Sequence, residues 1–123
     1  MHIAPEINDG KITIDAYDTH HIIIDEQKYQ STLLILSDKI YPNWSNKAFL
    51  TVAPNEYTLI VQENPQVFII GTGEKQIFPS IQLIEFFNKQ HIGLECMNTG
   101  SACRTFNILA TEGRNVAGLF FIQ

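Results

Sequence analysis

Apolar and polar residues alternate over Lys11-Ile12-Thr13-Ile14-Asp15-Ala16-Tyr17, which puts Ile12, Ile14 and Ala16 on one face of a half-buried strand. Asp18-Thr19 reads as a turn and His21 to Ile24 resumes an apolar strand, so residues 11–25 are expected to form a β-hairpin. After a polar break from Asp25 to Lys28, Ser31-Thr32-Leu33-Leu34-Ile35-Leu36-Ser37 carries an unbroken apolar run. That pattern suits a strand covered on both faces, as in a parallel sheet between helices. Asp38 stands at its C-terminal end, before a loop that holds Pro42 and the single tryptophan, Trp44.

Helix and strand alternate in the second half. Residues 55–63 combine a capping Asn55 after Pro54 with the β-formers Tyr57 to Val61; helix is preferred, because a parallel strand pair requires a crossover. Val67 to Ile70 is a short buried strand ending in Gly71-Thr72-Gly73. Ser80 to Gln90 has helical spacing, with Leu83, Ile84, Phe87 and His91 on one face and Gly93 beyond its end. A strand from Gly93 to Asn98 follows, and Thr99 is expected to cap a helix to about Glu112 that packs through Ala102, Thr105, Phe106, Leu109 and Ala110. Asn115 to Ile122 is the last strand. The order predicts one α/β domain over 1–123, a three-layer arrangement with a central mixed sheet flanked by helices and an N-terminal β-hairpin.

Composition narrows the function. Eight basic and thirteen acidic residues give a net charge of −5, which argues against nucleic acid, whose backbone requires clustered cations. Residues 1–62 hold four Lys and eight carboxylates, against four basic and five acidic groups in 63–123, so neither half is a basic tail. The longest apolar runs fall far short of the roughly 20 residues that span a bilayer, so membrane insertion is not expected. Two cysteines make no disulfide framework, and with no signal-peptide pattern the expectation is a cytoplasmic protein with reduced thiols.

Three loops are candidates to converge at strand C-terminal ends, where open α/β sheets bind ligands: Asp38, Gly71-Thr72-Gly73, and Asn98 to Ser101. The positive end of the Thr99 helix there is a candidate site for a small anionic ligand. Gly-Thr-Gly lacks the third glycine of the dinucleotide fingerprint and the lysine of a P-loop, and a tight turn is the favoured reading. Cys103 sits in the first turn of its helix beside Arg104, where the dipole favours a thiolate; it is a candidate nucleophile without an evident base, and a buried structural cysteine is the preferred alternative. Arg104 and Arg114, the only arginines, bracket this helix with Asn107 between them, and are candidates to recognise a carboxylate. Phe86 and Ile108 lie off the packing faces and suit a partner surface. His20 and His21 point to opposite faces of a strand; His20 with Asp18 is the one same-face pair, short of the three or four ligands of a zinc site. No metal and no cofactor is implied. A non-catalytic module with a protein partner is the leading expectation, and a small-ligand or thiol-dependent enzyme near Cys103 the alternative.

Ile70-Gly71-Thr72-Gly73, Gly93-Leu94-Glu95-Cys96-Met97-Asn98-Thr99, Ala102-Cys103-Arg104-Thr105-Phe106-Asn107-Ile108-Leu109 and Glu112-Gly113-Arg114 together resemble a known family, with further similarity over Tyr29 to Ser31 and at Trp44. It is the small α/β domain family that includes the mitochondrial assembly factor 3 of respiratory complex I, the adipogenesis-associated human protein and many uncharacterised bacterial members. The resemblance implies a three-layer fold around a mixed sheet and no established catalytic activity. Gly71, Thr72, Gly73, Thr99, Cys103, Thr105, Asn107, Glu112 and Arg114 match the family motif by position.

Overall fold

A computed structural model of the chain describes residues 5–7 and 10–122. Its centre is a six-stranded mixed sheet in the order β1-β6-β5-β9-β7-β8, comprising β1 (Glu6–Ile7), β5 (Leu33–Leu36), β6 (Lys39–Tyr41), β7 (Val67–Gly71), β8 (Gly93–Met97) and β9 (Val116–Phe120). The β7 strand is parallel to both β8 and β9, while β5 is antiparallel to β9 and to β6. A second sheet of three strands contains β2 (Ala16–Tyr17), β3 (Ile22–Ile24) and β4 (Gln27–Tyr29).

Unbroken apolar runs become buried strands because both sheet faces are covered. Leu34, Leu36, Phe68, Ile70, Ala117 and Leu119 point to one core, with Tyr57 and Ile60 below and Leu83 and Phe87 of α2 (Ile81–Lys89). Leu33, Ile35, Ile69, Val116 and Phe120 point to the other, with Ala102, Cys103, Phe106 and Ala110 of α3 (Thr99–Thr111) and Ile22 and Ile24 of the small sheet. The short α1 (Thr58–Glu63) joins the α2 layer and stops at Asn64, whose φ of 54° is left-handed. Three layers result, as the sequence predicts.

Several local expectations change. The Leu33 strand is covered on both faces but pairs antiparallel, because Ser37 adopts φ 57° and turns the chain at once into β6, where a loop is expected. Asp25 and Glu26, with φ of 49° and 67°, make the equally tight turn that pairs β3 with β4, so the hairpin gains a third strand. Residues 11–15 bury Ile12 and Ile14 as their alternation predicts but lie outside the ladder, and Ala16 is exposed. Asn55 does not cap α1; it sits in a 3₁₀ turn, Pro54–Tyr57, in which the Glu56 carboxylate accepts from Ala53 N–H at 2.8 Å. Asn98, rather than Thr99, caps α3, accepting from Ser101 N–H at 2.8 Å, and Ser80 caps α2 by accepting from Leu83 N–H at 3.2 Å.

Candidate functional site

The Gly71-Thr72-Gly73 segment is fastened to the start of α3. Thr99 N–H donates to the Gly73 carbonyl at 2.8 Å, Gly73 N–H donates to Thr99 Oγ1 at 2.9 Å, and Thr99 Oγ1 donates to the Phe121 carbonyl at 2.8 Å. Gly71 is required by proximity, since a Cβ there would lie 2.9 Å from Thr99 Cα and 3.0 Å from Ala102 Cβ. The buried Thr72 hydroxyl donates to the Lys75 carbonyl at 2.7 Å and accepts from Ile77 N–H at 3.0 Å, closing the loop on itself. Gly73 has φ 108°. These glycines therefore meet backbone demands. The adjoining cleft, about 280 Å³, is lined by Tyr17, Asp18, Gly73, Glu74, Thr99 and Gly100 among others. Two carboxylates in it, and helix N–H groups already donating to Gly73 and Asn98, oppose an anion at this helix start.

Asp38 does not join these loops. Because β5 runs antiparallel to β9, the C-terminus of β5 lies at the opposite end of the strands from those of β7 and β8. There it lines a cleft of about 420 Å³ with Lys11, Ser37 and Arg114, over the apolar floor of Ile12, Phe106 and Val116. Lys11 Nζ donates to the Ala110 carbonyl at 2.8 Å, at the C-terminal end of α3, where a cation is favoured. The expected single cleft is thus two, at opposite ends of the sheet.

Along α3 the remaining residues face different surroundings. Cys103 is fully buried, and burial pushes its thiol up to about 12 against a smaller lowering by Arg104, opposite to the shift a helix start was expected to give. Cys96 is half-buried and is also pushed up to about 12, mainly by burial; both thiols are free. Arg104 is committed to the small sheet: its guanidinium lies 5.8 Å from the centre of the Tyr17 ring and donates to the Tyr17 hydroxyl and, at 3.1 Å, to Ser101 Oγ. Asn107 accepts from Ile14 N–H at 2.7 Å and donates to the Ile14 carbonyl at 2.8 Å. The His21 imidazole lies 3.0 Å from the Asp18 carboxylate, which also accepts from the His20 N–H at 2.8 Å. Among the described residues no three His, Cys, Asp or Glu side chains gather to hold a metal ion.

The expected partner surface divides. Ile108 is exposed, but Phe86 is half-buried, its ring 5.1 Å from that of Phe87. A further stretch of exposed apolar side chains is Phe78 (76%), Ile81 (70%) and Ile84 (44%), in the segment leading into α2 and on the helix itself, the last of them expected on its packing face. The clue in the sequence was Ile77-Phe78 ahead of the Ser80 cap, followed at once by Ile81, about 120° around the helix from the buried Phe87.

Three layers around a mixed sheet, with α3 occupied in fastening loops and sheets together, define an α/β domain in which Gly71, Thr72, Thr99, Cys103 and Asn107 of the motif serve the architecture. The chain belongs to the family described as protein of unknown function (DUF498/DUF598), whose model matches residues 14–121. It is 36% identical over 67 residues to the 13 kDa major membrane protein of Francisella tularensis, covering 54% of each chain. It is 34% identical over 79 residues to the NADH dehydrogenase [ubiquinone] 1 alpha subcomplex assembly factor 3 of Drosophila melanogaster, covering 61% of this chain and 40% of that protein. The chain therefore spans about half the length of these curated relatives. A Xanthomonas campestris protein solved by NMR superposes with a TM-score of 0.83 at 32% identity, covering 93% of this chain and 86% of that one. Among the described residues, no helix is long and apolar enough to cross a membrane.

Proposed function

We propose that this chain is a non-catalytic protein-interaction module that works as an assembly factor, binding a partner protein through the outer face of its α2 layer. The observation that carries the reading is the exposure of Phe78, Ile81 and Ile84, large apolar side chains that a free surface does not require in so short a stretch. Relatives named as assembly factors support it. So does the state of Cys103, a buried thiol held protonated, which disfavours the nucleophile of the enzymatic alternative. Two free thiols agree with a reducing, cytoplasmic setting.

Site-specific photo-crosslinking in the native host tests the proposal. A photoreactive residue at Ile81 is expected to trap a discrete protein that a probe at exposed Gln62 does not, and Ile84→Asp should abolish the adduct. Identical products at both positions, or none, would refute it.

A second reading rests on the cleft of Lys11, Asp38 and Arg114, whose two cations and apolar floor suit a small carboxylate or phosphate. Thermal shifts with a panel of such anions at fixed ionic strength should vanish in Arg114→Ala if they arise there.

A further inference from the structure

The β8 strand is the last in the sheet, and its bonding direction is set by its neighbour. Gly93 N–H donates to the Gln66 carbonyl at 3.1 Å and Thr72 N–H to the Met97 carbonyl at 2.8 Å, so Gly93, Glu95 and Met97 turn their backbone groups toward β7. Leu94 and Cys96, between them, direct theirs away from the sheet. Gln76 Nε2 donates to the Cys96 carbonyl at 3.0 Å, a side-chain amide standing where the amide of another strand would donate. Side chains alternate accordingly: Leu94 and Cys96 pack against the α2-side core, whereas Glu95 is exposed on the side of the sheet that carries α3. On that side the Thr105 hydroxyl meets Met97 Sδ at 3.5 Å, and Ile108, one turn further along α3, is 58% exposed.

We infer that the β8 edge is a strand-addition site for an extended segment of a partner protein, one that places a basic residue opposite Glu95 and displaces the Gln76 amide from Cys96. Main-chain bonds to Leu94 and Cys96 supply the attachment, and the charge of Glu95 selects the occupant. A second copy of this chain is disfavoured in the register that pairs both outward residues of one β8 with both of the other. With Leu94 opposite Cys96 in an antiparallel self-pair, Glu95 faces the glutamate of the other copy, and like charges directly opposed weaken a strand pair. The net charge of −5 likewise favours a basic occupant. This inference names the mode of attachment for the protein-interaction reading and rests on it.

The probe is a capped heptapeptide of alternating valine and threonine with a central lysine, titrated into the ¹⁵N-labelled protein and followed by amide hydrogen exchange. The expected result is slowed exchange at Leu94 and Cys96, affinity roughly fivefold lower for the same peptide with central glutamate, and no binding after N-methylation at alternate residues. Leu94→Pro removes an outward N–H and leaves the β7 ladder intact, so it should fold and fail to bind. Should that variant not fold, Glu95→Lys, at an exposed side chain, reverses the peptide preference. Binding that survives Leu94→Pro, peptides that leave Leu94 and Cys96 unprotected, or a preference unmoved by Glu95→Lys would overturn the edge site. A partner crosslinked at Ile81 in the same Leu94→Pro variant would leave the interaction module standing while removing β8 from it.

Discussion

The side-chain amide of Asn107 pairs with both backbone groups of Ile14, accepting at 2.7 Å and donating at 2.8 Å. It takes the place of a strand neighbour for a segment that belongs to neither sheet, and so holds the N-terminal stretch against α3 with Ile12 and Ile14 buried beneath it. Asn107→Ala leaves two partly buried backbone groups without their partner, at an expected cost of about 1–3 kcal/mol. Urea denaturation gives the total, and hydrogen exchange at Ile14 should accelerate more than exchange in β7. Asn107→Asp keeps the acceptor and sets a carboxylate against the Ile14 carbonyl, and should be no better than alanine.

Gly71→Ala places a methyl group 2.9 Å from Thr99 Cα, a backbone atom that cannot move without releasing the loop lock. A loss of about 1–3 kcal/mol is expected, as for an overpacked core. Gly93→Ala meets nothing closer than 3.4 Å and should change the melting temperature little. Equal melting temperatures for the two variants would contradict this account.

The Tyr57 hydroxyl is buried with no hydrogen-bond partner among the described residues, inside a ring cluster with Trp44, Phe68 and Phe87 at centroid distances of 5.5, 5.9 and 5.6 Å. Tyr57→Phe removes only that unsatisfied group and should leave stability unchanged or raise it by about 1 kcal/mol, whereas Tyr57→Ala should cost about 3–5 kcal/mol. Calorimetry of the pair separates ring from hydroxyl.

Burial holds Cys103 near 12, above its ordinary value of 9.0, so the folded state favours the neutral thiol. That contribution is complete below the ordinary thiol range and is lost as pH rises toward 12. Iodoacetamide at pH 8 should label Cys103 far more slowly in the native protein than in urea, and peptide mass spectrometry reads the difference. Native labelling at the unfolded rate would revive the thiol as a reactive group.

Asp18 accepts from His20 N–H at 2.8 Å and from His21 N–H at 2.9 Å, and the first of these bonds leads in holding its carboxyl below the ordinary range. The charged form is the one favoured on folding, so this hairpin's support is present above the ordinary carboxylate pKa and fades as pH falls through the lowered one. Amide shifts of His20 and His21 should report that titration, and Asp18→Asn should abolish it.

What the chain alone determined was periodic. Alternation marked the burial of Ile12 and Ile14, unbroken apolar runs marked strands covered on two faces, and polar residues with apolar spacing behind them marked α2 and α3. These signals are local, written within one or two turns or a few strand residues. Which strands pair, and in which direction, depends on residues far apart in the chain. The antiparallel placement of β5 carried Asp38 away from Gly73 and Thr99, and the depth of the α3 contact put Cys103 in the core, the alternative the sequence preferred over a nucleophile. The motif around Gly71, Thr99 and Asn107 was legible as a motif. Only tertiary structure showed that its polar atoms are spent on Phe121, Gly73 and Ile14, because a hydrogen bond across 22, 26 or 93 residues leaves no trace in local spacing.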